Sequence, residues 1–198
     1  MTVISQNFYA QPTLTVARTL LGQRLVREVN GQRLMATIVE TEAYIGPADT
    51  ACHASKGRTP RTEVMFGPPG RAYVYLVYGM HSMLNLVTEA EGFPAAVLIR
   101  AVEPAAGVEI MQATRHLKNS NPPNLTSGPG KLCQALAINR TLNNWDVTLG
   151  QTLWVEYREA IADNLIVTGP RIGINYAEPK DRIAPWRFWI AGNGFVSK

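Results

Sequence analysis

The stretch YVYLVYGMHSMLN, residues 73–85, sets three tyrosines among aliphatic residues, breaks at Gly79 and resumes as a second apolar run. Two short runs of aromatic and aliphatic residues around a turn residue read as an antiparallel β-hairpin. Alternate side chains of a strand share a face, so Tyr73, Tyr75 and Val77 point one way and Val74, Leu76 and Tyr78 the other. Core packing is the ordinary role for Tyr73. Tyr78 abuts Gly79 and stands near the hairpin tip, where core burial is least expected. An aromatic there can wedge between base pairs, and Tyr75, deeper in, can stack on a base brought into a pocket.

The flanking segments repeat the pattern. QRLVREV (23–29), LMATIVETEAYIG (34–46) and AAVLIRAVEP (95–104) read as strands, as do TLWVEY (152–157), LIVTGPRIGI (165–174) and WRFWIAG (186–192). Helical spacing is found in TLTVARTLLG (13–22), EPAAGVEIMQATRHL (103–117) and KLCQALAI (131–138). Short sequential strands with a few helices predict an α+β fold, a curved and mostly antiparallel sheet in one domain over residues 1–198. That length closes a core without staples. Two long loops remain, residues 46–70 and 118–130, the second expected to be the more mobile.

The net charge is +4, and 14 of the 19 basic residues are arginine, whose planar fork suits phosphate. Cys52 and Cys133 stand apart with no C-x-x-C pair, which reads as reduced thiols in a cytosolic protein. The N-terminal residues lack the pattern of a signal peptide, and no apolar window approaches a membrane span. A soluble, cytoplasmic protein is expected, with no membrane partner.

Three places carry chemistry. In IVETEAYIG, strand alternation puts Ile38, Glu40, Glu42 and Tyr44 on one face. Two carboxylates are costly to bury without partners, so a solvent-exposed face competes with a site in which one glutamate activates water, with His53 ten or so residues on. Arg100 lies inside an apolar strand, on the face of Leu98 and Val102, and needs an acidic partner. Either an internal ion pair or a phosphate clamp satisfies it. TSGPGK fails the phosphate-loop pattern, but Ser127, Gly130 and Lys131 lead into a helix and could meet a DNA phosphate. Cys52, His53, Asp49 and Glu42 match no standard zinc spacing, so no metal is expected.

The segments VETEAYIGPADTACHA, YVYLVYGMHSMLN, VLIRAVEP, SGPGKLCQALAIN and WRFWIAGNGFVS, in this order, resemble the alkyladenine (3-methyladenine) DNA glycosylases of the mammalian and bacterial type. The likeness runs from about Leu20 onward and looks like a compact bacterial form; His81 stands where a mammalian relative has another aromatic. The resemblance implies a single α+β domain with a protruding hairpin, acting as a monomer without cofactors on double-stranded DNA containing damaged purines. It implies Glu42 as the general base, with Arg100 helping to hold the water and the flipped nucleotide. Tyr44, His53 and Tyr75 would line the base pocket, and Asn85 would reject unmodified guanine by collision with its exocyclic amino group. Tyr78 would plug the gap in the duplex, with Met80 beside it. The substrates implied are 3-methyladenine, 7-methylguanine, hypoxanthine and etheno-adenine, excised to start base excision repair in the cytoplasm, at the nucleoid. No lysine lies in the motifs around Glu42, so no lyase step is expected. A non-catalytic stacking module and a small-molecule hydrolase using Glu42 and His53 are the rival readings. The first leaves Glu42 idle beside a polyanion, and the second leaves the hairpin aromatic unexplained.

Overall fold

One fourteen-residue strand organises the molecule, with a partner along one edge and two further strands pairing with parts of the other. The computed structural model describes residues 2–117 and 122–197. In chain order its elements are α1 (Gln6–Tyr9), α2 (Thr13–Thr19), β1 (Arg24–Val29), the long strand β2 (Gln32–Ile45), β3 (Ala72–Val77), β4 (His81–Val87) and β5 (Ala95–Ala106). They continue with α3 (Val108–Thr114), α4 (Pro122–Thr126), α5 (Pro129–Ala135), β6 (Leu153–Glu156), β7 (Ile166–Gly169), α6 (Pro179–Ile183) and β8 (Arg187–Ile190). The sheet runs β3-β4-β5-β2-β1-β6, with β8 joining the second half of β2 and β7 joining β8. All pairings between these strands are antiparallel. This is the α+β architecture expected from the strand pattern.

The β1–β2 turn is Asn30-Gly31, both with positive φ (50° and 70°), as a type I′ hairpin turn requires. The β3–β4 turn uses the same backbone at Tyr78 (φ 52°) and Gly79 (φ 72°), closed by Met80 N–H donating to Val77 O at 3.2 Å. A bulky side chain in that region is a genuine outlier. Tyr78 and Met80 project from the tip, 89% and 71% exposed.

The main core lies between one face of the sheet and helices α2 and α5. It includes Val16, Ala17, Leu34, Ala36, Ile38, Ala43, Val97, Ile99, Val102 and Leu132. Here the strict alternation expected for β2 and β5 fails. Leu34, Ala36 and Ile38 keep one phase, which continued would drive Glu40 and Glu42 into the core. Instead the register shifts at Val39, an extra residue on β2, and shifts back at Arg100, an extra residue on β5. A bulge of this kind re-aims the following side chains. Glu40, Glu42 and Tyr44 do share a face, but Ile38 belongs to the core, and Val102 is parted from Arg100 for the same reason.

Other boundaries differ from the sequence pattern. The helix expected from Glu103 begins only at Val108, because β5 continues to Ala106. Pro104 is tolerated there because β4 pairs only with Ala96–Leu98, so its missing N–H faces no ladder. Gly107, at φ 74°, turns the chain into α3, and a Cβ there would come within 2.5 Å of Leu34. The 46–70 stretch is partly ordered by 3₁₀ turns at His53–Lys56 and Glu63–Phe66. Of the expected 118–130 loop, residues 118–121 lie outside the described residues, and Pro122–Thr126 is helical. The strand expected at 165–174 is short, only Ile166–Gly169.

Candidate active site

The re-aimed face of β2 and β5 forms the floor of a cleft of about 550 Å³, walled by Tyr44, His53, Tyr75, Leu98, Arg100, Ile172 and Tyr176, with Tyr78 at its rim. A smaller inner cavity of about 30 Å³ adjoins it, lined by Tyr44, His53, Tyr73, Tyr75 and Asn85 among others. Glu42 is fully buried behind this floor. Its Oε2 accepts from the Tyr44 hydroxyl at 2.8 Å, and its Oε1 accepts from the Ile172 N–H at 2.6 Å and lies 3.2 Å from Arg100 Nη1. An ionised carboxylate offers about four acceptor positions. Three are taken, which leaves room for one further donor, such as water.

The second glutamate is spent differently. Glu40 is fully buried, its Oε1 accepting from Arg100 Nε (3.2 Å) and Arg187 Nε (2.6 Å), its Oε2 from the Ser197 N–H (2.7 Å). The exposed-face alternative for these carboxylates is therefore wrong: both are buried because arginines compensate their charge. Arg100 is in an ion pair with both glutamates and also borders the cleft. Burial opposes its charge, but Glu42 and Glu40 outweigh that and raise its pKa.

The aromatic wall is braced from behind. His53 Nδ1 is 3.0 Å from the Tyr73 hydroxyl, its ring meets Tyr75 edge-on at 4.5 Å, and Arg61 lies over Tyr75 at 5.1 Å. Arg61 Nη2 is 3.4 Å from His53 Nε2. A guanidinium only donates, so Nε2 accepts and the proton sits on Nδ1. Burial, with Arg61 adding, lowers the imidazole pKa to about 4, so the ring is neutral at pH 7. Burial first, then Glu42, raises the Tyr44 pKa, which keeps its hydroxyl a donor. The Asn85 amide nitrogen donates to Tyr73 O at 3.1 Å, and the residue lines the inner cavity.

The structure thus gathers Glu42, Arg100, Tyr44, His53, Tyr75, Asn85 and Tyr78 around one cleft. Met80 faces a separate groove with His81 and Gly130, between the hairpin and α5. Gly130 lets that helix approach, since a Cβ there would meet the His81 Cβ at 3.3 Å. Ser127 bridges to Ala101, and Lys131 donates to Asn124 Oδ1 at 2.7 Å, so the three phosphate candidates lie outside the cleft. Tyr73 is buried, as its core role requires, yet its hydroxyl also holds His53. Sequence reasoning missed Arg171, Tyr176 and the Ile172 N–H. They sit about 130 positions from their partners in a segment that reads as an ordinary strand, and no local signal marks them. Both cysteines are free and buried, with burial pushing Cys52 up to about 11 and Cys133 up to about 12. Among the described residues no group of His, Cys, Asp and Glu converges as a metal site, and no helix is long and apolar enough to cross a membrane.

The family model described as methylpurine-DNA glycosylase matches residues 7–194. The chain is similar to proteins named "Putative 3-methyladenine DNA glycosylase" in several organisms. It is 54% identical to that of Methanocella arvoryzae, covering 100% of this chain and 97% of the relative. It is 48% identical to that of Alkaliphilus oremlandii (98% and 98%) and 48% identical to that of Myxococcus xanthus (100% and 95%).

Proposed function

The chain belongs to the methylpurine-DNA glycosylase family, and on that premise we propose that it is a monofunctional DNA glycosylase acting as a single-domain monomer, without cofactor, in the cytoplasm. It flips alkylated or deaminated purines out of duplex DNA and hydrolyses the N-glycosidic bond, starting base excision repair. The substrate set is 3-methyladenine, 7-methylguanine, hypoxanthine and etheno-adenine.

One observation carries this reading above the rest. A buried carboxylate with one acceptor position left over stands behind an aromatic cleft whose rim holds a nearly fully exposed tyrosine. The flipped base stacks between Tyr44 on one side and His53 with Tyr75 on the other. Asn85 collides with the exocyclic amino group and so disfavours unmodified guanine, whereas 7-methylguanine is still excised because its positive charge makes it a ready leaving group. Tyr78 fills the gap in the duplex, Met80 lies beside it against the groove wall, and Ser127, Gly130 and Lys131 meet the backbone phosphates.

Glu42 takes a proton from a water held at its open position, and Arg100 fixes the carboxylate that does so. The water oxygen bonds to the anomeric carbon as the C–N bond breaks, through an oxocarbenium-like state. The bond electrons leave with the purine. A 3- or 7-methylated purine already carries positive charge and leaves as a neutral base, so one carboxylate suffices for it. Hypoxanthine and etheno-adenine are neutral, leave as anions and take up a proton from water. None of the described residues lining the two cavities is a lysine, which supports hydrolysis without a Schiff-base lyase step.

The test uses a duplex with one hypoxanthine or etheno-adenine opposite thymine. Wild type should leave an abasic site that alkali cuts, and Glu42→Gln should bind the duplex equally but react about 10²- to 10⁴-fold more slowly. Strand cutting without alkali would contradict the monofunctional reading. Equal rates in the two proteins would remove Glu42 from the chemistry.

A further inference from the structure

Arg171 is the most heavily committed side chain near the cleft, and nothing said so far requires it. Its guanidinium carbon lies over two rings, 4.8 Å from the centre of Tyr44 and 4.9 Å from that of Trp186. Nη1 donates to Asp49 Oδ2 (2.6 Å) and Ala43 O (2.8 Å), and Nη2 to Asp49 Oδ1 (2.8 Å) and Asp181 O (3.3 Å). Nε is buried with no acceptor. A packed apolar side chain would avoid that orphaned donor, so the site keeps arginine for its planar shape and its fork.

Each partner leads to the reacting centre. Tyr44 donates to Glu42 Oε2, and the residue after Arg171 donates its N–H to Oε1. Asp49 also accepts from the Ile45 and Ala51 N–H groups, which fixes the loop that delivers His53. Asp181 accepts from the Thr50 N–H, tying the same loop to the segment that follows Arg171.

We propose that Arg171 is a positioning residue for base excision: stacked on Tyr44 and clamped by Asp49, it holds the Tyr44 hydroxyl and the Ile172 N–H on Glu42, so that the fourth position of the carboxylate faces the water. This rests on the glycosylase reading above. Lysine cannot replace it, because a point charge neither stacks flat nor binds a carboxylate through two parallel bonds.

Single-turnover excision on the hypoxanthine duplex tests this in four proteins: wild type, Tyr44→Phe, Arg171→Lys and the double variant. Rates are taken well below each protein's melting temperature. Arg171→Lys should lose about 10- to 100-fold in rate, as misplaced catalytic groups do, with duplex affinity held within about threefold. Phenylalanine removes the hydroxyl through which much of the effect travels. In the Tyr44→Phe background the loss from Arg171→Lys should therefore shrink to about threefold, non-additivity being the mark of groups that act together. A purely structural arginine gives equal losses in both backgrounds, and that result overturns the proposal. So does an Arg171→Lys protein that cuts as fast as wild type, though the glycosylase reading then stands. Failure of wild type to cut any damaged purine removes that reading and the proposal with it. If Arg171→Lys does not fold, Asp49→Asn, which breaks one arm of the fork, takes its place in the same cycle and should lose several-fold; equal losses in both backgrounds again overturn the proposal.

Discussion

Replacing Glu40 with glutamine should unfold the protein more easily than any comparable surface change, and the size of the effect follows from its neighbours. Glu40 is fully buried and takes three donors on two oxygens: Arg100 and Arg187 on one, the Ser197 N–H on the other. Glutamine has the same shape but only one oxygen. Whichever way it turns, its NH₂ group confronts either two guanidiniums or a backbone N–H. Removing one partner of a buried ion pair costs about 3–5 kcal/mol, since the other charge stays behind uncompensated. For a chain near this size each kcal/mol shifts Tm by about 2–4 °C, so a fall on the order of 10 °C is expected. The control is Glu28→Gln. That carboxylate is half exposed and 4.0 Å from Arg33, a pair of the kind that contributes ~1 kcal/mol at most. Thermal melts followed by circular dichroism, with urea titrations to check that the m-value holds, measure both. Equal Tm shifts for Glu40→Gln and Glu28→Gln would refute the reasoning, because burial and compensation would then not govern this carboxylate.

Two further outcomes follow from the same geometry. Tyr78→Gly should leave Tm unchanged or raise it by a few degrees, because glycine adopts φ 52° without strain. Excision from duplex DNA should fall at least about tenfold without the wedge; a clear loss of Tm would contradict the strained-turn assignment. His53 has a folded-state pKa of about 4 against an ordinary 6.5. Between those values the unfolded chain binds the extra proton and the folded one does not. The stability is therefore complete above about pH 6.5 and declines as pH falls toward 4. Urea unfolding at pH 7.5 and pH 5 should show a smaller pH dependence in His53→Gln than in wild type, and identical slopes would count against the buried neutral imidazole.

The hairpin at 73–85, with Tyr75 on its strand and Tyr78 at its tip, and the antiparallel class were legible because each depends on local alternation and a turn residue, whereas Tyr176 was not. Glu42 and Tyr44 were legible together for a narrower reason: they lie on the same side of the bulge, where the period of two still holds. Ile38 lies across it and was assigned to the wrong face. A bulge is a property of two strands in register, and a single strand's composition does not contain it. The start of α3 was hidden likewise, since Pro104 ends a strand only where a neighbour asks for its N–H. Arg171 shows the hardest case. Its meaning is the simultaneous presence of Tyr44, Asp49, Asp181 and Trp186, four residues from three parts of the chain.

The paired irregularities at Val39 and Arg100 bear on how this chain can change. One extra residue on β2 is matched by one on β5, so the two strands run in step from Ala36 to Ile38 and again from Thr41 to Ile45, and the site is a half-period dislocation between those two stretches. Deleting Val39 alone would send Glu40 and Glu42 toward the helices and their core partners toward the cleft. Deleting Arg100 alone would throw the two ladders out of step. Lengths of these strands can therefore vary at their turns but not in their middles, where an insertion or deletion must come in pairs or not at all.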